Sequence, residues 1–431
     1  MAQGQDSKQT SDDVICHLGA LPPELFDRIL FELDSVRDLA NFVATVRFVY
    51  RRFEAQKTAV LSGVLQNELG PVMIDAKFLS MFPYSDPKDW ERYYDRMHDM
   101  AAVYREMLQG VRGDGVPSLG KLTDLCRTLH KINFIADTFL AAQLRSFLMP
   151  GEGASAPVIR PDDPVTAPLT RTERLRVVRA FYRRQIVSNA WAPTRRGPYW
   201  GAEDSAAMSN TSTHQGKRLG LLAAFEPWEL QQIEHANLFI TRVCIALVHR
   251  EGDGPEESMQ LERFGDLYAH LDALVRYLRA NPELAEVALS DVSSRTEPSY
   301  SEVPYRRFVD RYSLLPLTYP WQSDRSESLP DPGAEKRERD GDKLVHVGDN
   351  VNLVPFAWVD ALDGRFTTWF GDGLGSISQN RDQGGRRTYF DRWKTAFCWR
   401  CAGSALWDRS RAEALKRIPW LETARTGWAW G

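Results

Sequence analysis

The sequence predicts a mainly α-helical protein, with a small three-helix module near the N-terminus and a larger, irregular helical region after it. The main observation is that apolar residues recur at three- and four-residue spacing in most segments. With 43% hydrophobic and 26% charged residues among 431, the chain can bury a sizeable core. No internal repeat of fixed period occurs, which argues against WD40 or leucine-rich repeats. A short β-hairpin is predicted near the C-terminus, over residues 352–370.

The first helix of the module begins at Leu21-Pro22-Pro23-Glu24. Proline at the start of a helix costs no intrahelical hydrogen bond, because the first amide groups have no partner within the helix. Apolar residues then follow at helical spacing: Leu25, Phe26, Ile29, Leu30 and Leu33. Asp34-Ser35 interrupts this pattern, so the first helix is expected to end there.

Two further helices complete the module. Ser35 and Asp38 form the pattern of an N-cap and the acid that follows it in the first turn. The apolar positions of the second helix are Leu39, Phe42, Val43 and Val46. Those of the third are Val49, Phe53, Val60, Leu61, Val64 and Leu65, and Gly70-Pro71 stops it. We therefore assign residues 17–70 to the module and residues 1–16 to a polar tail with too little apolar surface to fold.

Residues 71–431 continue the helical pattern with long interruptions. Helical spacing of apolar residues is present over five segments: 90–108, 122–149, 172–190, 227–249 and 261–279. Loops are predicted at 150–170, which is rich in proline, at 193–220, and at 321–349, which is charged and contains proline. No run of about 18 apolar residues occurs, which argues against a transmembrane helix.

The net charge and the cysteine content indicate which functions and which cellular compartment are compatible with the sequence. The chain has 54 Lys and Arg against 58 Asp and Glu, a net charge of -4, which argues against a globally basic nucleic-acid binder. The N-terminus lacks the apolar core of a signal peptide. Five cysteines in a chain of this length do not form a disulfide framework. A reducing compartment, the cytoplasm or the nucleus, is therefore expected.

The N-terminal module resembles an F-box. The resemblance rests on Leu21-Pro22-Pro23-Glu24-Leu25, Ile29-Leu30, Leu33-Asp34-Ser35 and Asp38-Leu39. The segments at 47–53 and 64–70 are similar to the variant common in F-box-like proteins of filamentous fungi. Two downstream stretches resemble the same group: Pro227-Trp228-Glu229-Leu230-Gln231-Gln232-Ile233 and Trp407-Asp408-Arg409.

This resemblance implies a non-catalytic adaptor. In F-box proteins the module docks on a Skp-type adaptor, which connects it to a cullin ubiquitin ligase; residues 71–431 would then bind a target that the sequence does not identify. Apolar anchors at helical spacing suit the groove of a helical partner. The candidate adaptor-binding residues are Leu21, Pro22, Pro23, Leu25, Ile29, Leu30, Leu33 and Leu39. The sequence departs from the family at the end of the F-box. A Trp-containing segment is common there, and this chain has Tyr50 and Phe53 instead.

Two other functions fit the sequence. One is a helical scaffold that keeps the F-box shape and engages no ligase. The other is a nucleic-acid-associated protein that uses a basic helix over residues 171–184. That helix carries Arg171, Arg174, Arg176, Arg179, Arg183 and Arg184 against one acid, Glu173. Its simplest interpretation is a solvated charged face, with Leu175, Val178 and Tyr182 packed inward.

The remaining motifs predict no cofactor, no metal and no catalytic residue. Gly115–Lys121 has the spacing of a phosphate-binding loop, but Leu122 replaces the expected Ser or Thr and no strand precedes it. Cys398-Trp399-Arg400-Cys401 lacks the second ligand pair of a structural zinc site, so two buried thiols are expected. The tryptophans concentrated after residue 350 are interpreted as core, with a recognition pocket as the alternative.

Overall fold

The computed structural model describes residues 21–83, 93–111, 117–148, 163–191, 220–251, 270–285, 348–357, 403 and 405–415. Helices account for 80% of these residues, and no strand occurs among them. The prediction of a mainly α-helical protein is therefore confirmed. The chain divides into two compact units, one formed by residues 1–80 with 113–129 and the other by residues 81–112 with 130–431.

The first unit contains three helices of the expected module. They are Pro23–Phe31 (α1), Val36–Thr45 (α2) and Arg47–Leu69 (α3), followed by a 3-10 turn at Gly70–Val72 and by Met73–Met81 (α4). Pro23 occupies the first position of α1. At the start of α2 the Asp38 amide donates to Oγ of Ser35 over 3.0 Å, which is the predicted cap.

Helix α3 forms the centre of the first unit. Its buried side chains recur on one face and pack with α1 and α2: Val49, Phe53, Val60, Leu61, Val64, Leu65 and Leu69. The helix is interrupted at Gln56, where φ is -129° and ψ is 21°. It ends at Gly70, whose φ of 50° lies in the left-handed region that glycine adopts at low cost.

The second unit is built from longer helices. They are Tyr93–Leu108 (α5), Leu119–Leu148 (α6, which from His130 onward belongs to this unit), Arg171–Trp191 (α7), Pro227–Glu251 (α8), Leu271–Ala280 (α9) and Arg409–Leu415 (α10). A 3-10 turn at Leu221–Ala224 precedes α8. Helices α7 and α8 pack closely along their length. Phe139, Phe181 and Phe239, from α6, α7 and α8, form an aromatic triangle with centroids 5.3–6.3 Å apart.

Several sequence expectations lie outside the described residues. These are the tail at 1–16, most of the loops at 150–170, 193–220 and 321–349, the Cys398–Cys401 motif, and residues 358–370 of the expected hairpin. The described part of that hairpin, residues 352–357, contains turn and helix. Among the helices that are described, none is long and apolar enough to cross a membrane.

Candidate functional site

The apolar face of α1 is wider than the area that the neighbouring helices cover. Successive helical residues are rotated by about 100°, so Leu25, Ile29, Phe26 and Leu30 form one continuous arc. Phe26 and Leu30 are fully buried, whereas Leu25 is 50% exposed and Ile29 is 37% exposed. The outer edge of this arc therefore presents two large aliphatic side chains to solvent.

An exposed aromatic ring of α3 packs against the buried side of the same arc. The Phe26 ring stacks with Phe42, with centroids 5.9 Å apart, and meets Phe48 edge-on at 5.1 Å. Phe48 lies in the first turn of α3 and is 44% exposed. Phe26 is adjacent to Leu25 in the chain and in contact with Phe48. We therefore define Leu25, Ile29 and Phe48 as the apolar patch.

Polar contacts hold α1 in place behind the patch. The Arg52 guanidinium donates from Nε and Nη2 to the two oxygens of Asp27, each over 2.6 Å, and Gln56 donates to the same carboxylate over 2.7 Å. The hydrogen bond from Arg52 lowers the pKa of Asp27, and the one from Gln56 adds to this. Because a bidentate pair fixes both distance and angle, it sets the orientation of α1 on α3.

The C-terminal end of α1 is held in the same way. Nδ2 of Asn67 donates to the carbonyl oxygens of Phe31 and Leu33, over 2.7 and 3.1 Å. The last carbonyl groups of a helix have no partner within it, so a side-chain donor at this point satisfies them. The apolar patch thus stands on a helix that is anchored at two places.

The predicted adaptor-binding residues fall into three groups in the structure. Pro22, Pro23, Leu25 and Ile29 are exposed, and Leu21 and Leu33 are half-buried. Leu30 and Leu39 are 0% and 2% exposed because they lie in the core between the helices, so neither presents its side chain to solvent.

Two exposed aromatic residues were absent from the predicted contact set. Phe48, in the patch, and Tyr50, 51% exposed, are both in the first turn of α3. Phe48 precedes the buried Val49, out of phase with the apolar series of α3 that Val49 and Phe53 begin. An aromatic residue that breaks an otherwise regular helical spacing was the available signal in the sequence.

The basic helix α7 is buried, which corrects its interpretation as a solvated face. Arg176, Arg179, Arg183 and Arg184 are 0–4% exposed. Arg171 is exposed and Arg174, which pairs with Asp137, is half-buried. A charged side chain leaves water only where other groups compensate its charge. The compensation comes from distant parts of the chain.

The first compensating group is Glu229 on α8. Its Oε1 lies 2.7 Å from Nη1 of Arg183 and 3.4 Å from Nη1 of Arg179. Burial alone would raise the pKa of Glu229, but the charges of Arg183 and Arg179 outweigh it and bring the pKa to about 2. Glu229 is therefore ionised at neutral pH, and the three groups form a buried ion-pair cluster.

The second compensating group is Asp408, just before α10. Arg176 Nη1 donates to its Oδ1 over 2.7 Å and to the Leu406 carbonyl over 3.2 Å. The Thr170 hydroxyl, at the start of α7, donates to Oδ2 of the same carboxylate. Trp407 beside it is fully buried and contacts Phe147, with centroids 6.0 Å apart. Residues 405–408 are thus seated directly on α7.

Arg411 of α10 completes this contact from the other side. Its Nε and Nη2 donate to the two oxygens of Glu173 over 2.9 and 3.2 Å. The guanidinium also bonds four carbonyl oxygens of the segment that precedes α7. Nη1 donates to Pro164 and Val165 and Nη2 to Ala167 and Pro168, over 2.6–3.2 Å. All the donors of this buried guanidinium are directed at fixed acceptors, which is a structural arrangement.

Two stretches that are far apart in the sequence, residues 227–233 and 405–408, meet on α7. Glu229 of the first stretch pairs with Arg183, and Asp408 of the second pairs with Arg176. In addition, Gln232 Nε2 donates to the Ala405 carbonyl over 2.7 Å. Stretches far apart in the sequence therefore compensate neighbouring charges of one helix.

One buried carboxyl group stands outside these pairs. Glu234 on α8 is 3% exposed, and neither of its side-chain oxygens has a hydrogen-bond partner within the described part of the chain. Burial raises its pKa to about 8, although Arg242 opposes the rise. Glu234 is consequently protonated through most of the neutral range.

The described residues offer little for catalysis or metal binding. No group of three or more His, Cys, Asp or Glu side chains among them is placed to hold a metal ion. Burial raises the pKa of the Cys126 thiol to about 11 and of the Cys244 thiol to about 12. Both are thus protonated at neutral pH and weak nucleophiles.

Comparisons of the chain with protein-family models, with curated proteins and with solved structures found no match.

Proposed function

We propose that residues 21–69 form an F-box-like docking module that binds a Skp-type adaptor, and that the rest of the chain presents a target protein to the ubiquitin ligase. One observation carries this proposal: the apolar patch of Leu25, Ile29 and Phe48 is exposed on a helix that is anchored from behind. Preformed apolar surfaces on rigid helices bind well because little conformational freedom remains to be lost on association.

In this proposal the second unit has a recognition role and performs no chemistry of its own. The buried pairs of α7 with Glu229 and Asp408 hold its helices in a defined arrangement. A defined arrangement is what a recognition surface requires. The proposed role also needs the reducing compartment, cytoplasm or nucleus, that the cysteine content predicts.

A helical scaffold that engages no ligase is the competing function. It has the same fold and differs in whether the apolar patch receives a Skp-type protein. The nucleic-acid alternative needs guanidinium groups at the surface, and four of the six on α7 are buried. The docking function is therefore the one to test first.

The test is co-elution of the purified full-length chain with a purified Skp-type adaptor on a size-exclusion column. Leu25→Asp and Ile29→Asp place a carboxylate in the patch and should each weaken binding by roughly tenfold or more, because the charge would be desolvated without a partner. Val111→Asp is the matched control, since Val111 is 73% exposed and lies in the second unit. Co-elution that neither patch variant weakens, or no co-elution of the wild type, contradicts the proposal.

A further inference from the structure

Two exposed arginines beside the apolar patch carry positive charges that no described side chain pairs with. Arg47 and Arg51, in the first turns of α3, are exposed and belong to no ion pair among the described residues. Residues three or four positions apart lie on one side of a helix, so Arg51 adjoins both Arg47 and Phe48. An exposed ring of the patch is thus bordered by positive charge.

Most neighbouring carboxylates are engaged elsewhere. An exception is Glu24, which is exposed beside Leu25 on α1 and whose charge acts on Arg52. Asp27 is bound by Arg52, and Glu54 pairs with Lys57 over 2.8 Å. Asp38 accepts a hydrogen bond from the Ser35 hydroxyl over 2.6 Å. Further engaged acids are Glu32, which lies 3.9 Å from Arg28, and Glu68, which accepts from the Val36 amide. The first turn of α3 contains no acid of its own.

This positive charge is local. The whole chain has a net charge of -4, with 54 basic and 58 acidic residues, so Arg47 and Arg51 are no by-product of a basic composition. An acidic partner would be repelled on average by the chain and attracted at this one place. Local attraction of that kind orients a partner as it approaches.

We propose that the partner of the apolar patch is an acidic protein, whose carboxylates pair with Arg47 and Arg51 while its apolar residues cover Leu25, Ile29 and Phe48. This inference rests on the proposed docking function and specifies the chemistry of the partner's surface. The carboxylates would border the apolar contact, where charged groups act on the rate of association more than on the lifetime of the complex.

The experiment measures association and dissociation rates of a Skp-type adaptor with the full-length chain, at low and at high salt. In the double variant Arg47→Glu/Arg51→Glu the association rate at low salt should fall roughly tenfold or more, with a dissociation rate within about threefold of wild type. High salt should reduce the difference, because the Debye length contracts to roughly 3 Å at 1 M. The pair Arg47→Lys/Arg51→Lys keeps the charge and should retain most of the association rate.

Arg96→Glu/Arg276→Glu is the control for net charge, since both arginines are exposed in the second unit and the pair makes the same change of four charge units. Helical circular dichroism and the unfolding midpoint establish that each variant is folded. The control should associate at nearly the wild-type rate.

The outcomes separate this inference from the docking function. Binding that Leu25→Asp abolishes, but that salt and Arg47→Glu/Arg51→Glu leave unchanged, overturns the acidic-partner inference and retains the docking function. Absence of any binding by the wild type overturns both. Binding that is lost with salt and is indifferent to Leu25→Asp shows a purely electrostatic contact and also overturns the inference.

Discussion

Nη1 of Arg183 lies 2.7 Å from Oε1 of Glu229 in the interior of the second unit, where neither side chain is more than 10% exposed. The same oxygen lies 3.4 Å from Nη1 of Arg179. One carboxylate therefore serves two guanidinium groups on successive turns of α7. Loss of this carboxylate would leave two buried positive charges close together.

Glu229→Gln should consequently be strongly destabilising. It preserves the shape of the side chain and removes its charge, and breaking a buried pair at one partner costs about 3–5 kcal/mol. Urea unfolding followed by circular dichroism measures this free energy. Glu106→Gln, at an exposed position of α5 in the same unit, should change it by less than about 0.5 kcal/mol. Equal effects of the two variants would show that Glu229 does not compensate Arg179 and Arg183.

The same carboxylate contributes to acid sensitivity. The pKa of Glu229 is about 2 in the folded protein against an ordinary value of 4.5, so its stabilising contribution is present above pH 4.5. As the pH falls from 4.5 toward 2, the unfolded chain binds a proton at this position that the folded chain does not, and the contribution is lost. Glu229→Gln should flatten this part of the stability curve. An unchanged slope below pH 4.5 would contradict the assignment.

Glu234 should produce the opposite dependence. Its pKa is about 8 in the folded protein against 4.5 ordinarily, so its contribution is fully present below pH 4.5 and is lost as the pH rises to about 8. This one group should lower the free energy of unfolding by about 1.4 kcal/mol per pH unit within that window. Glu234→Gln should remove this decline and leave a protein more stable than wild type at pH 8. A variant that is less stable than wild type at pH 8 would refute this account.

Arg411 and Arg409 form a matched pair on α10. Arg411 is buried and bonds Glu173 and four carbonyl oxygens, whereas Arg409 is exposed and pairs with Glu413 one turn later. Arg411→Ala should lower the free energy of unfolding by about 3 kcal/mol or more, because Glu173 and the carbonyl groups lose their donors. Arg409→Ala should cost less than about 1 kcal/mol. The comparison fails if chemical denaturation gives similar values for both.

The Arg52–Asp27 pair should matter for docking through orientation. Arg52→Ala removes the two hydrogen bonds from Arg52 to Asp27, which help to orient α1 on α3, so it should slow or weaken adaptor binding although Arg52 lies outside the apolar patch. Arg28→Ala is the control, since Arg28 and Glu32 are more than 70% exposed and 3.9 Å apart. Rate measurements on both variants decide the matter. Equal binding by the two would mean that α1 keeps its orientation without the pair.

The sequence predicted the positions of the helices well and the contacts between distant helices poorly. Helical spacing and the Ser35 cap located α1–α3, because these signals depend on residues within one turn of each other. The burial of α7 was missed because its arginines are compensated by Glu229 and Asp408, whose proximity arises only from tertiary structure. A signal existed nonetheless, since Val177, Phe181 and Val187 place apolar residues on several sides of that helix.

The exposed apolar patch was predicted in part. The spacing of Leu25 and Ile29 identified the exposed edge of α1, and the same spacing also included Leu30, which packs inward. A binary pattern of polar and apolar positions does not show which part of an apolar arc neighbouring helices will cover. That division depends on where Phe42 and Phe48 of the neighbouring helices come to lie.

The seating of residues 405–411 on α7 has a consequence for synthesis on the ribosome. Arg176 obtains its carboxylate only when Asp408 has been translated, and Glu173 obtains its guanidinium only with Arg411. Nascent chains that end before these residues carry unmatched charges in a helix that must be buried. The second unit therefore completes its folding late in translation, whereas every residue of the first unit has been made once Leu129 is added.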